Sequence, residues 1–165
     1  MQHVQNRSTT SALVLTAVLI ALATLFTMYT KIPVPGIRGY FNVGDVVIMT
    51  SALLLGRKYG AYIGAIGPAL ADLFLGYAVF VPITFVVKGI EGYLVGTVYN
   101  HRTTTSALVA TIVGGIVIVA GYFIAEYFIF DPGVAIASIL TNTIQAVMSV
   151  IVSMILYAIL RKRLG

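Results

Sequence analysis

The sequence predicts an all-α membrane protein, a bundle of six transmembrane helices with both termini cytoplasmic. Three observations carry that prediction. Of the 165 residues, 59% are hydrophobic and 9% charged, with a mean hydropathy of +1.02, a balance that belongs to multispanning membrane proteins. At roughly 20 residues per span with short links, such a chain holds about six helices. The basic residues are also sorted: with the N-terminus inside, Arg7, Arg57, Lys58, Arg102, Arg161, Lys162 and Arg163 fall on the cytoplasmic side. Only Lys31 and Arg38 fall outside, a positive-inside asymmetry.

Residues 1–165 are expected to form a single integral membrane domain. Its spans lie near Ser11–Tyr29, Phe41–Leu55, Gly60–Gly76, Val79–Val98, Ser106–Phe128 and Val134–Leu160. No stretch is long or polar enough for a soluble ATPase or a catalytic head. The first span lacks a cleavage-like end and reads as a retained helix. Its Ala17-Val-Leu-Ile-Ala21 step, continuing to Thr24, is a small-residue face, and taken alone it favours packing inside the bundle.

The connection from Lys31 to Tyr40 holds Pro33, Pro35, Gly36 and Gly39, so it is a shaped loop and not a helix. It leads into Tyr40-Phe-Asn42-Val-Gly-Asp45 at the outer lip and is expected to act as a lid. The second span is short, which fits a tilted or re-entrant segment. The third carries Gly60, Gly64, Gly67 and Ala71 as a close-packing face, and Pro68 should kink it by releasing a backbone carbonyl. The fifth repeats the small-residue pattern with Ala110, Gly114, Gly121 and Ala125.

The fourth span is the informative one. Lys88 and Glu91 interrupt the apolar run Phe80–Gly96, and a charge at the bilayer centre costs several kcal/mol, so it marks a functional site by default. Three-residue spacing puts both on one helix face, with Thr84 a turn earlier. The sixth span carries Ser138, Asn142, Gln145, Ser149 and Ser153 at helical spacing, a polar stripe on an apolar rod. Interhelical hydrogen bonding accounts for the serines, whereas Asn142 and Gln145, at the depth of Lys88 and Glu91, are read as pocket lining.

Counting depth at about 1.5 Å per residue, Asp45 and Asp72 fall roughly a turn below the outer surface, and Glu126 near the outer end of the fifth span. The polar groups therefore gather between the outside and the centre and stop there. That describes a cavity open outward and closed toward the cytoplasm. Lys88 can equally pair with Asp72 or Glu91 to hold the bundle, and pairing and ligand contact are compatible.

Other functions lack their chemistry. Cysteine is absent, and His3 and His101 lie in polar segments, so no metal site, cofactor site or thiol nucleophile is expected. A Ser–Lys pair using Lys88, or an Asp45/Asp72 dyad, is the only route to an intramembrane enzyme. A stand-alone ion-coupled transporter is the stronger rival because buried acids can carry protons, but the polar path stops midway and no inverted repeat is visible. The basic residues follow topology and lipid contact, without the interleaved aromatics of a nucleic-acid surface.

Several stretches together resemble the substrate-binding S components of energy-coupling factor (ECF) transporters, in the riboflavin-transporter-like group. They are Ala17-x-x-x-Ala21, Tyr40-Phe-Asn-Val-Gly-Asp45, Gly67-Pro-Ala-Leu-Ala-Asp72-Leu, Phe80-Val-Pro-Ile-Thr84-Phe-Val-Val-Lys88-Gly-Ile-Glu91-Gly and Asn142-Thr-Ile-Gln145, which run from the first helix to the last. The resemblance implies a six-helix subunit of a prokaryotic plasma-membrane importer, not an enzyme. It would bind a vitamin or vitamin precursor from outside and pair with a transmembrane coupling (T) subunit and two cytoplasmic ATPases. It places Ala17 and Ala21 on the coupling surface and puts Tyr40, Asn42, Asp45, Asp72, Thr84, Lys88, Glu91, Asn142 and Gln145 at the substrate site. Riboflavin, a pyridoxine-like compound and the hydroxymethylpyrimidine precursor of thiamin are the ligands implied. The absence of tryptophan departs from thiamin-type pockets, and the amides, lysine and acids suit a small heteroaromatic ring bearing hydroxyl groups.

Overall fold

The computed structural model describes residues 9–33, 40–99 and 103–164. Six helices account for nearly all of them: α1 (Thr9–Tyr29), α2 (Gly44–Leu55), α3 (Arg57–Phe74), α4 (Phe80–Val98), α5 (Thr104–Ile129) and α6 (Pro132–Leu164). Between α1 and α2 the chain makes a two-residue antiparallel ribbon, β1 (Ile32–Pro33) with β2 (Tyr40–Phe41), pairing Ile32 with Phe41 and Pro33 with Tyr40. Most of the connection expected as a lid lies outside the described residues, and Tyr40 is placed by its backbone in β2.

Local chemistry explains the helix ends. Gly56, at φ 90°, stops α2 and lets α3 start one residue later. Gly76, at φ 82°, ends α3: its N–H reaches Leu73 O at 3.2 Å while Tyr77 N–H reaches Asp72 O at 2.8 Å, the paired bonds of a Schellman motif. The Thr103 side chain caps α5 by accepting from Ser106 N at 3.1 Å. Asp131 Oδ1 does the same for Val134 N at 3.0 Å, with Pro132 at the first helical position, where its missing N–H costs nothing. Pro82 sits in the first turn of α4 for the same reason. The α3 helix runs unbroken through Pro68.

Four helices, α1, α4, α5 and α6, are long and apolar enough to cross a membrane. The 12-residue α2 spans only about 18 Å, short of the roughly 30 Å hydrocarbon core. It is the internal element of the bundle, packed against every other helix, with nine residues buried between Gly44 and Leu53. The α3 helix is long enough at 18 residues, but Arg57, Lys58 and Asp72 lower its apolar character.

Glycines set the helix spacing. A Cβ on Gly64 would stand 2.1 Å from the Lys88 carbonyl oxygen, and one on Gly92 would stand 2.1 Å from that of Gly60. The α3 and α4 backbones therefore touch, running antiparallel. Gly67 meets Ala23, and Thr24 Oγ1 donates to Gly67 O at 2.9 Å, which fixes α1 on α3. Gly121 fits against Val87, and Gly114 against Val95, Met49 and Glu91. The small-residue faces of the third and fifth spans are thus packing faces, as their spacing suggested.

One apolar core, around Met49, Leu53, Val95, Ile118 and Tyr157, fills the half of the bundle nearer Arg57 and Arg161. Tyr99 and Tyr157 close that end, their rings meeting edge-on at 5.6 Å and their hydroxyls hydrogen-bonded. The opposite half is where the polar side chains meet.

Candidate functional site

The floor of that polar half is a buried charge cluster. Lys88 Nζ lies 2.5 Å from Asp45 Oδ1 and 3.5 Å from Glu91 Oε2, with Tyr122 presenting its ring face at 5.4 Å. Asp45 Oδ2 accepts from Gln145 Nε2 at 2.7 Å. The Gln145 Oε1 in turn accepts from Asn42 N at 3.0 Å, and Asn42 Oδ1 from Gly44 N at 2.8 Å. A single amide on α6 therefore clamps both the N-terminus of α2 and the link between β2 and that helix. Gly44 permits the clamp: a Cβ there would stand 2.1 Å from Thr27 Oγ1.

Above this floor is a cavity with about 40 Å³ of free space, room for about three water molecules. One wall is Pro68, Asp72, Phe80 and Thr84, with Thr84 Oγ1 and Tyr122 Oη sharing a hydrogen bond of 3.0 Å. The other is Glu126 on α5 with Ser138, Thr141, Asn142 and Gln145 on α6; Thr27 and Asn42 complete the lining. Ser138 donates to Glu126 Oε2. Among the described residues, Thr27 Oγ1 is buried with no hydrogen-bond partner and none bonds the Asn142 side chain. No three His, Cys, Asp or Glu side chains among the described residues converge as a metal site would require.

A larger void of about 580 Å³ runs along Ile116, Val119, Phe123, Val147 and Ile151 between α5 and α6. It carries one hydroxyl, Thr143, and no charge, so it offers a polar ligand nothing to bind.

Six of the residues singled out in the sequence, Asn42, Asp72, Thr84, Lys88, Asn142 and Gln145, line one cavity. Asp45 and Glu91 are fully buried and stand behind Lys88, outside the lining. Asp45 was expected near the mouth; it sits at the floor, held there by Lys88 and Gln145. Lys88 takes Asp45 as its near partner, not Asp72. Ala17 and Ala21 lie on the exposed face of α1, and the packing contact of that helix is made by Ala23 and Thr24 instead. The packing reading of Ala17 and Ala21 is corrected accordingly.

Sequence reasoning did not assign Thr27, Tyr122, Glu126, Ser138 or Thr141 to the site. A signal existed for two pairs: Tyr122 and Glu126 are one turn apart on α5, and Ser138 and Thr141 extend the Asn142–Gln145 stripe. Thr27 had none, being one of several threonines on α1.

The geometry is that of a blind, polar pocket at one end of a membrane bundle, and comparison with known proteins agrees. Residues 7–162 match the family model for the ECF-type riboflavin transporter S component. The chain belongs to that family. As a member it is 30% identical over 149 residues to the thiamine precursor transporter HmpT of Lactococcus lactis subsp. cremoris (strain MG1363), covering 89% of this chain and 83% of that one. It is also 41% identical over 144 residues, 86% of this chain and 96% of the other, to an uncharacterized protein encoded in the gap 3′ region of Pyrococcus woesei. The solved S component of a bacterial ECF transporter has the same fold, with a TM-score of 0.75 at 20% identity over 96% of this chain and 99% of that one. S components of this family are membrane-embedded transporter subunits, and four helices here are long and apolar enough to cross a membrane.

Proposed function

We propose that this chain is the substrate-specificity subunit of an ECF-type importer, capturing a one-ring vitamin precursor of the thiamine-precursor class in the polar cavity. The observation that carries this reading is the blind cavity itself. Charged and amide groups converge at one end, while an apolar core and the Tyr99–Tyr157 pair block the other. A closed pocket binds and holds; a channel conducts.

Size and chemistry support the ligand class. The free space holds about three waters, less than one substituted six-membered ring fills and far below the three fused rings of riboflavin, so a single ring asks for the least rearrangement of the lining. The lining holds three amides, several hydroxyls, two carboxylates and an ammonium, which suits a heteroaromatic ring with donors and acceptors on its edge. HmpT, named for a thiamine precursor, points to the same class.

The mouth faces the exterior and the basic end the cytoplasm, by the distribution of Arg57, Lys58, Arg161 and Lys162. Both termini are then cytoplasmic, and the membrane is the prokaryotic plasma membrane. The chain acts by binding, without catalysis, and energy comes from two ATPases through a coupling subunit. The exposed Ala17–Ala21 face of α1 is the docking surface for that subunit, since small side chains let another helix approach closely.

The experiment is to extract the purified protein and identify the co-purified small molecule by mass spectrometry. A hydroxymethylpyrimidine or a similar single-ring precursor is expected. Recovery of a flavin would overturn the ligand class, and turnover of any ligand by the purified chain would overturn the binding role.

A further inference from the structure

The cavity side chains divide into those that hold the frame and those left for a ligand. Gln145 commits both ends of its amide to Asn42 and Asp45, Lys88 is shared by two carboxylates, and Thr84 is bonded to Tyr122. Three groups remain. Among the described residues, Thr27 Oγ1 is buried without a partner, the Asn142 amide has none, and Glu126 has only Ser138, on Oε2.

Glu126 is the outlier among them. It is 3% exposed and lines the cavity, yet no cation among the described residues lies within ion-pair distance of it. A carboxylate offers about four acceptor sites, and one hydroxyl fills one of them. A buried acceptor left unmatched costs free energy that a ligand donor can recover. Ser138, itself 1% exposed, fixes one oxygen and leaves the other to the cavity. At the far end, Lys88 is already neutralised by Asp45.

We propose that Glu126 is a specificity-determining residue that selects a ligand edge bearing a hydrogen-bond donor, an exocyclic amine or a protonated ring nitrogen. Thr27 and Asn142 complete the contact. The inference rests on the one-ring reading above and extends it. Carboxylated and phosphorylated vitamers meet like charge at Glu126.

The test titrates the full-length protein in detergent with an aminohydroxymethylpyrimidine and with its counterpart lacking the exocyclic amine. Wild type should prefer the amine by at least about tenfold, as a hydrogen bond to a charged group warrants. Glu126→Gln should erase most of that preference by weakening the amine probe, leaving the other probe near its wild-type affinity. Ser138→Ala should narrow the preference to a lesser degree, and it carries the test should Glu126→Gln fail to fold. An unchanged preference in the folded variants, or no preference in wild type, overturns the role of Glu126 while the function stands. Failure of wild type to bind either probe overturns the one-ring reading, and this inference with it.

Discussion

Lys88 and Asp45, 43 residues apart in the chain, form a direct ion pair of 2.5 Å in which neither side chain is more than 2% exposed. The pair joins the middle of α4 to the first turn of α2, and Gln145 ties the same carboxylate to α6. Three helices therefore meet at one buried point, which is the floor of the cavity. A buried pair of this kind contributes little net stability when intact, but removing one partner strands the other.

That asymmetry ranks two substitutions. Lys88→Met leaves both Asp45 and Glu91 without their cation, whereas Asp45→Asn leaves Lys88 with Glu91. Lys88→Met should cost about 3–5 kcal/mol, and Asp45→Asn distinctly less. Thermal unfolding in detergent reads the order, and equal or reversed midpoints would contradict it.

The two amides of α6 should separate in the same assay. Gln145→Leu removes two framework hydrogen bonds and leaves their buried partners unmatched, so stability should fall by about 1–3 kcal/mol along with ligand affinity. Asn142→Leu breaks no bond within the described structure. It should leave the unfolding midpoint nearly unchanged while weakening binding by about tenfold or more. Parallel loss of stability in both variants would place Asn142 in the frame.

Periodicity and depth made much of this legible in advance. The helices were readable because long apolar runs in a membrane chain leave the backbone no other way to satisfy its hydrogen bonds. Lys88, Asn142 and Gln145 were readable because polar groups at mid-span are costly unless used. Asp45 was misplaced because its depth was counted along the chain, which does not show that it pairs with Lys88 on α4. The split between Gln145 and Asn142 was invisible, since it depends on Asn42, 103 residues away between β2 and α2, arriving to donate to Gln145. Thr27 needed the contact with Gly44, which no spacing along α1 encodes.

Helix separation at the site depends on Gly64. Because its missing Cβ leaves room for the Lys88 carbonyl, Gly64→Ala should push α3 from α4 and destabilise the protein by about 1–3 kcal/mol, as overpacking does. The affinity for ligand should fall as well, since Lys88 moves with its backbone. Wild-type stability in this variant would mean that the two backbones do not touch.

The exposed face of α1 should behave in the opposite way. Replacing Ala17 and Ala21 together by Leu adds side chains where the isolated bundle has free surface, so unfolding midpoint and ligand affinity should stay near wild type. ATP-driven uptake with the coupling subunit and ATPases present should be lost, and pull-down of the coupling subunit should fail. Retained uptake would move the docking surface elsewhere.

Competitive titration of the purified wild-type chain with hydroxymethylpyrimidine and riboflavin tests the central claim most directly. The account predicts one-to-one binding of the pyrimidine, lost in Asn142→Leu, and no displacement by riboflavin at comparable concentration. Tight binding of riboflavin with no measurable binding of the pyrimidine would contradict it.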